Sequence, residues 1–91
     1  MELTPGKLYQ LSCHNPHISN FVLFQTEEEA NELCHSGNII PITETFMFLR
    51  ATKASKFLPI GDTILEVLIC SRLGFIRPNV RMTNIQPATP Q

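Results

Sequence analysis

Short apolar runs, separated by polar and turn-forming residues, recur along this 91-residue chain, and most are too short for helices. Pro5-Gly6 marks a turn, and Lys7 to Cys13 follows with the composition of a strand. His14-Asn15-Pro16-His17 breaks it into a loop. Asn20 to Gln25, built on Phe21-Val22-Leu23-Phe24, predicts a second, well-buried strand. Asn38 to Glu44 predicts an extended connection lying on the core, and Thr45 to Thr52 a strand. Lys53 to Asp62 predicts a polar loop stapled by Phe57-Leu58. Thr63 to Cys70 carries the strongest strand pattern of all. Ser71 to Gly74 predicts a turn, Phe75-Ile76-Arg77 the start of another strand, and Pro78 to Met82 a single 3₁₀ turn. Thr83 to Pro87 closes the chain as a short strand before a frayed tail at residues 88–91.

One segment reads differently. From Thr26 the apolar residues Ala30, Leu33 and Cys34 fall at helical spacing on one face. Thr26 and Glu29 form a capping box, and Glu27, Glu28 and Glu29 crowd the first turn, where the helix dipole favours negative charge. Gly37 stands where a left-handed C-terminal cap is wanted. The spacing predicts a helix over about 26–36, too short to persist unless it packs on something.

Composition fixes the class. Hydrophobic residues make up 43% and charged residues 16%, the balance of a packed chain rather than a disordered one. The length suits a single domain over residues 1–87, small enough that a partner or a second copy could add to its stability. No apolar run approaches the ~20 residues of a membrane helix, so no membrane role is expected. The first residues lack the basic and apolar regions of a secretory signal. Three cysteines, Cys13, Cys34 and Cys70, are an odd number without tight spacing, which suits a reducing cytoplasm.

The formal charge of −1 hides an asymmetry. Residues 1–49 set Lys7 against Glu2, Glu27, Glu28, Glu29, Glu32 and Glu44, one minus six, or −5. Residues 50–91 set Arg50, Lys53, Lys56, Arg72, Arg77 and Arg81 against Asp62 and Glu66, six minus two, or +4. Such segregation makes a two-signed surface feasible. A chain relying on phosphate contacts alone would be more basic.

The final third resembles the end of an SH3-like barrel. There a Gly-aromatic-aliphatic stretch leads into a 3₁₀ turn, as Gly74-Phe75-Ile76 leads into Pro78 to Met82 here, with Thr83 to Gln86 as the last strand. Pro5-Gly6-Lys7-Leu8-Tyr9 is similar to the first strand of short SH3-like proteins of bacteria and phages. The likeness covers mainly residues 5–13 and 44–87. It implies a mainly β fold, a partly open barrel of about five strands with the helix inserted after the second strand. In such a fold the last strand pairs back onto the first. By analogy it also implies a binding role, as in a phage or bacterial accessory or regulatory protein. The chain departs from the family's peptide-binding members in having no Trp and one Tyr, so a groove for proline-rich peptides is not expected.

Candidate chemistry is sparse. Cys13, His17, Cys34 and His35 are the right residue types for zinc, but adjacent Cys-His pairs on a strand point to opposite faces. The plainer reading is two or three buried thiols and exposed loop histidines, with no cofactor. No nucleophile sits in a recognisable turn motif, and the Glu27 to Glu32 run reads as helix N-terminal charge. Arg72, Arg77 and Arg81 interleave with Phe75 as cations and aromatics do in single-strand binders, and Arg50, Lys53 and Lys56 could extend that patch. Glu27, Glu28 and Glu32 form a counterpart acidic face. The sequence therefore favours a non-enzymatic module acting on a protein partner. A nucleic-acid binder using the arginines is the alternative, and a metal-binding or catalytic Cys/His domain the third reading.

Overall fold

The computed structural model describes residues 3–33, 37–55, 62–79 and 83–88. The protein is mainly β with one short helix, in the order β1 (Leu8–Cys13), β2 (Asn20–Leu23), α1 (Glu27–Glu32), β3 (Asn38–Pro41), β4 (Thr45–Lys53), β5 (Thr63–Ile69), β6 (Arg72–Ile76) and β7 (Thr83–Pro87). Five strands form an antiparallel sheet ordered β6-β5-β4-β1-β7, in which the last strand pairs with the first. β2 and β3 form a separate two-stranded sheet, and no closed barrel results among the described residues. The helix follows the second strand, as expected. Residues 38–41 are a strand rather than a bare connection, because Ile40 faces the core cluster while paired with Phe21 across the hairpin.

Each face of the large sheet carries an apolar cluster. On one face Tyr9, Leu11, Phe46, Phe48, Leu65, Val67, Ile69 and Ile76 pack with Leu23, under the β2–β3 hairpin. Tyr9 is wholly structural: its ring meets Phe48 edge-on, and its hydroxyl accepts a hydrogen bond from the Thr4 amide at 2.8 Å. On the other face a smaller cluster of Phe24, Ala30, Ala54 and Ile64, joined by Phe75, packs α1 against one end of β4, β5 and β6.

The chain passes between these faces at Phe24. Its amide and carbonyl both pair with Phe75, at 2.7 and 2.8 Å, a single bridge on the free edge of β6. Leu23 thus enters one cluster and Phe24 the other, as alternation along an extended segment requires. Gly74 makes the approach feasible. A Cβ there would lie 2.6 Å from Leu23 Cδ1 and 2.9 Å from the Phe24 carbonyl oxygen.

Two boundaries differ from the sequence reading. The turn between β5 and β6 is Cys70-Ser71, both with positive φ (49° and 66°), rather than Ser71 to Gly74. Two consecutive left-handed residues match the twist of a two-residue hairpin, which frees Gly74 to lie inside β6. The helix ends at Leu33, not at Gly37. Leu33 itself takes the left-handed cap conformation (φ 54°) and its amide reaches the carbonyls of Glu29 and Ala30. The N-terminal cap holds, with Thr26 Oγ1 accepting from the Glu29 amide at 3.1 Å. The expected staple at Phe57-Leu58 and residues 80–82 of the expected 3₁₀ turn lie outside the described residues, while Pro78 and Asn79 have no regular structure.

Replacing Gly74 by Ala forces Leu23 and the Phe24 backbone away from β6. We expect a loss of about 1–3 kcal/mol of stability, the cost of overpacking a close contact, measured as a lower urea midpoint with an unchanged slope.

Candidate binding surfaces

The register of β4 decides where its cations point. Phe48 pairs with Val67 and Arg50 with Glu66, so one extra residue, Leu49, is bulged out between them. Without the bulge, Arg50 would share the core face with Phe46 and Phe48; with it, Arg50 moves to the face bearing α1. There its Nε lies 2.7 Å from Glu66 Oε1 and its Nη2 3.2 Å from Glu27 Oε1. Its guanidinium carbon sits 5.9 Å from the centre of the Phe75 ring. The Glu66 hydrogen bond, then that of Glu27, raises the Arg50 pKa above its already high ordinary value. Arg50 therefore pins the acidic first turn of α1 to the sheet, and the expected acidic and basic faces meet here as an ion-pair triad.

Arg77 is not exposed. It follows Ile76 at the end of β6, is 7% accessible, and turns its guanidinium onto the C-terminal end of α1. Nη1 donates to the Ala30 and Asn31 carbonyls at 3.3 and 2.8 Å. Helix carbonyls without an intrahelical partner attract a cation, and this one is supplied from the neighbouring strand. The Asn31 side chain adds a reciprocal pair with Ser55 at the end of β4, both at 2.6 Å.

Arg72 and Lys53 remain exposed. Lys53 pairs with Thr63 at one end of β5 and Arg72 with Ile69 at the other. Six residues of strand put them on the order of 20 Å apart. Arg81 and Lys56 lie outside the described residues. The described cations thus form no single patch around Phe75. Glu28 and Glu32 are exposed on α1.

Cys13 is partly buried, while His14 and His17 are exposed in the loop after β1. The His14 Nε2 pairs with the Asn84 amide at 3.0 Å, tying that loop to β7. Cys34 and His35 lie outside the described residues. No group of three or more His, Cys, Asp or Glu side chains comes together among the described ones. Cys70 is exposed at the β5–β6 turn rather than buried, because the hairpin needs two residues there to reverse direction. Its thiol donates to Glu44 Oε1 at 3.2 Å, and that bond, reinforced by the Glu44 charge, raises its pKa.

A further surface feature is apolar and was not anticipated from the sequence. Leu73 on β6 pairs with Leu68 on β5, Leu68 with Met47 on β4, and Met47 with Leu8 on β1. Directly opposed residues of adjacent strands share a face, so these four form one row across four strands. The ends are open, with Leu73 60% and Leu8 49% exposed, and Leu68 and Met47 are half-buried. Ile64, Glu66 and Leu68 alternate on β5, which places the row on the same face as α1, at the end the helix leaves bare. Ile39, 66% exposed, is isolated on edge strand β3. A separate cavity of about 210 Å³ lies between the β2–β3 hairpin and β1, lined by Leu11, Phe21, Val22 and Ile42. Its rim at Leu33, Asn79 and Thr83 adjoins segments outside the described residues.

Among the described residues no helix is long and apolar enough to cross a membrane. Comparison with protein-family models, curated proteins and solved structures finds no match in any of the three.

Two outcomes follow from the placement of these groups. Arg77→Met removes the donor to two helix carbonyls inside the protein and lowers stability by about 1.5–3 kcal/mol, as for other hydrogen bonds to a charged group. Arg72→Ala stays within about 0.5 kcal/mol, as surface substitutions do, and urea unfolding of the two variants separates them. A raised pKa means less thiolate at a given pH. Cys70 is accordingly alkylated slowly at mildly alkaline pH, and Glu44→Gln speeds the reaction, read by mass spectrometry of the peptide containing Cys70.

Proposed function

We propose that this protein is a non-enzymatic binding module on an SH3-like scaffold, acting on a protein partner in an accessory or regulatory role. The sheet order, with the last strand beside the first and the helix after the second strand, supports the scaffold. The row Leu8, Met47, Leu68 and Leu73 carries the choice of partner. A continuous apolar patch on a small protein marks an interaction site, and an apolar row has nothing to offer a phosphate backbone.

The charges support the same choice. Arg50 is held in ion pairs and Arg77 is buried against α1, so two of the arginines considered for a nucleic-acid surface have structural partners. Arg72 and Lys53 face solvent at opposite ends of β5 and so do not cluster with each other.

Co-purification from cells that naturally express the chain tests the reading. The wild-type protein retains a protein partner, a Leu8→Glu/Leu73→Glu variant with wild-type circular dichroism loses it, and a Lys53→Glu/Arg72→Glu variant keeps it. The opposite pattern, with salt-sensitive retention of oligonucleotides that depends on Lys53 and Arg72, rejects it in favour of nucleic acid.

A further inference from the structure

We infer that the row Leu8–Met47–Leu68–Leu73 receives an amphipathic α-helix of the partner, docked across β6, β5, β4 and β1 beside α1. The inference rests on the protein-partner reading and names the element that fills the site.

Four observations select a helix. The first is the backbone of the strands beneath. Three of the four strands the row crosses, β5, β4 and β1, are hydrogen-bonded to neighbours on both sides, and the edge of β6 is bridged by Phe24 at Phe75, so an extended peptide laid over the row finds no ladder beneath it to join. A ligand on this apolar surface must satisfy its own amides and carbonyls, which a helix does internally.

The second is spacing. Adjacent strands lie about 4.8 Å apart, and successive helical turns rise about 5.4 Å. A helix crossing the strands therefore brings one apolar side chain to each strand. Three interstrand steps span about 14 Å, or roughly ten residues of helix. Apolar positions at i, i+4, i+7 and i+11 supply the four contacts.

The third is continuity. The same face already accepts a helix, since Ala30 of α1 packs with Ile64, Ala54 and Phe75 at its other end. A second helix extends that layer over the part left bare, the usual way a sheet face is covered. Arg50 and Glu66 lie between the two positions, with Arg50 already paired to both Glu66 and Glu27, so the incoming helix meets a border whose cation is occupied and whose net charge is negative.

The fourth is area. The row is four side chains, of which Leu8 and Leu73 are about half open and Met47 and Leu68 half-buried. A stable dimer buries about 800 Å² on each partner. A second copy of this chain packed on the row alone falls well short of that.

The test uses two peptides and the whole chain. The first is a hydrocarbon-stapled 15-residue helix with Leu at i, i+4, i+7 and i+11 and Lys and Gln elsewhere. The second has the same composition, with two central residues changed to proline and no staple. Titrated into ¹⁵N-labelled protein up to ~1 mM, a range that detects weak binding, the helical peptide shifts the amides of Leu8, Met47, Leu68 and Leu73 but not Ile39. The proline peptide binds at least tenfold more weakly, and Leu73→Glu weakens the helix at least tenfold while leaving the folded spectrum intact. Equal binding of both peptides, shifts centred elsewhere, or no saturable shift each overturns the inference. So does sedimentation showing a dimer that Leu73→Glu abolishes. A photo-crosslinking residue at position 73 separates the two levels of the argument. Cross-links to a helical segment of the partner support the inference. Cross-links to a strand or loop overturn the helix and leave the protein-partner reading standing, and no protein cross-link at all removes both.

Discussion

The two hydrogen bonds between Phe24 and Phe75 are the constraint on which the rest of the arrangement turns. They lie where the chain leaves one face of the large sheet for the other, and they fix both clusters at once. Leu23 on one side seats the β2–β3 hairpin over the main core, while Phe24 on the other begins the seat of α1. A single bridge suffices because Gly74 beneath it presents no side chain and Leu23 closes over the gap. Loosening the bridge frees the hairpin and the helix together. A six-residue helix has little stability of its own and depends on packing that starts at this point.

The second constraint is the bulge at Leu49. It inverts the alternation of β4 halfway along, so that Phe46 and Phe48 face the core while Arg50 and Thr52 face the helix. That inversion turns a cation that would have been buried into the clamp between Glu27 on α1 and Glu66 on β5. Arg77 performs the matching task at the helix's other end, from the strand that carries the bridge. Two of the arginines that drew attention in the sequence, Arg50 and Arg77, therefore hold α1 at its two ends.

The strand content, the single helix and its N-terminal cap were legible because each rests on local signals, whereas the return of the last strand to the first came only as what the resemblance to SH3-like barrels implies. The Thr26 cap lies within one turn, and the Thr63 to Ile69 run is too apolar and β-branched to read otherwise. What escaped depends on register between distant segments. A bulge leaves no mark in composition, so the direction of Arg50 could not be read from the alternation of Phe46 and Phe48. The β3 strand escaped because its Pro41 suggested a connection, although proline is tolerated on an edge strand. The left-handed Leu33 displaced the cap expected at Gly37, a position where a Cβ would collide with Val22. The apolar row was invisible for the same reason, since Leu8, Met47, Leu68 and Leu73 come from four strands spread over 66 residues and align only once every pairing is set.

This separation of tasks bears on how the surface works. On the α1-bearing face, the charged triad forms a border with α1 and its apolar contacts on one side and the bare row on the other. The triad sets one guanidinium against two carboxylates and so keeps a net negative charge, but its cation is already occupied and needs no stripping when something docks beside it. On the proposed reading, affinity at such a site would come from apolar burial and shape, and orientation from the helix wall on one side of the row and the polar residues Gln10 and Thr45 on the other. Part of the sequence-level asymmetry of acidic and basic halves thus goes into holding α1 in place, through Arg50 at its first turn and Arg77 at its last.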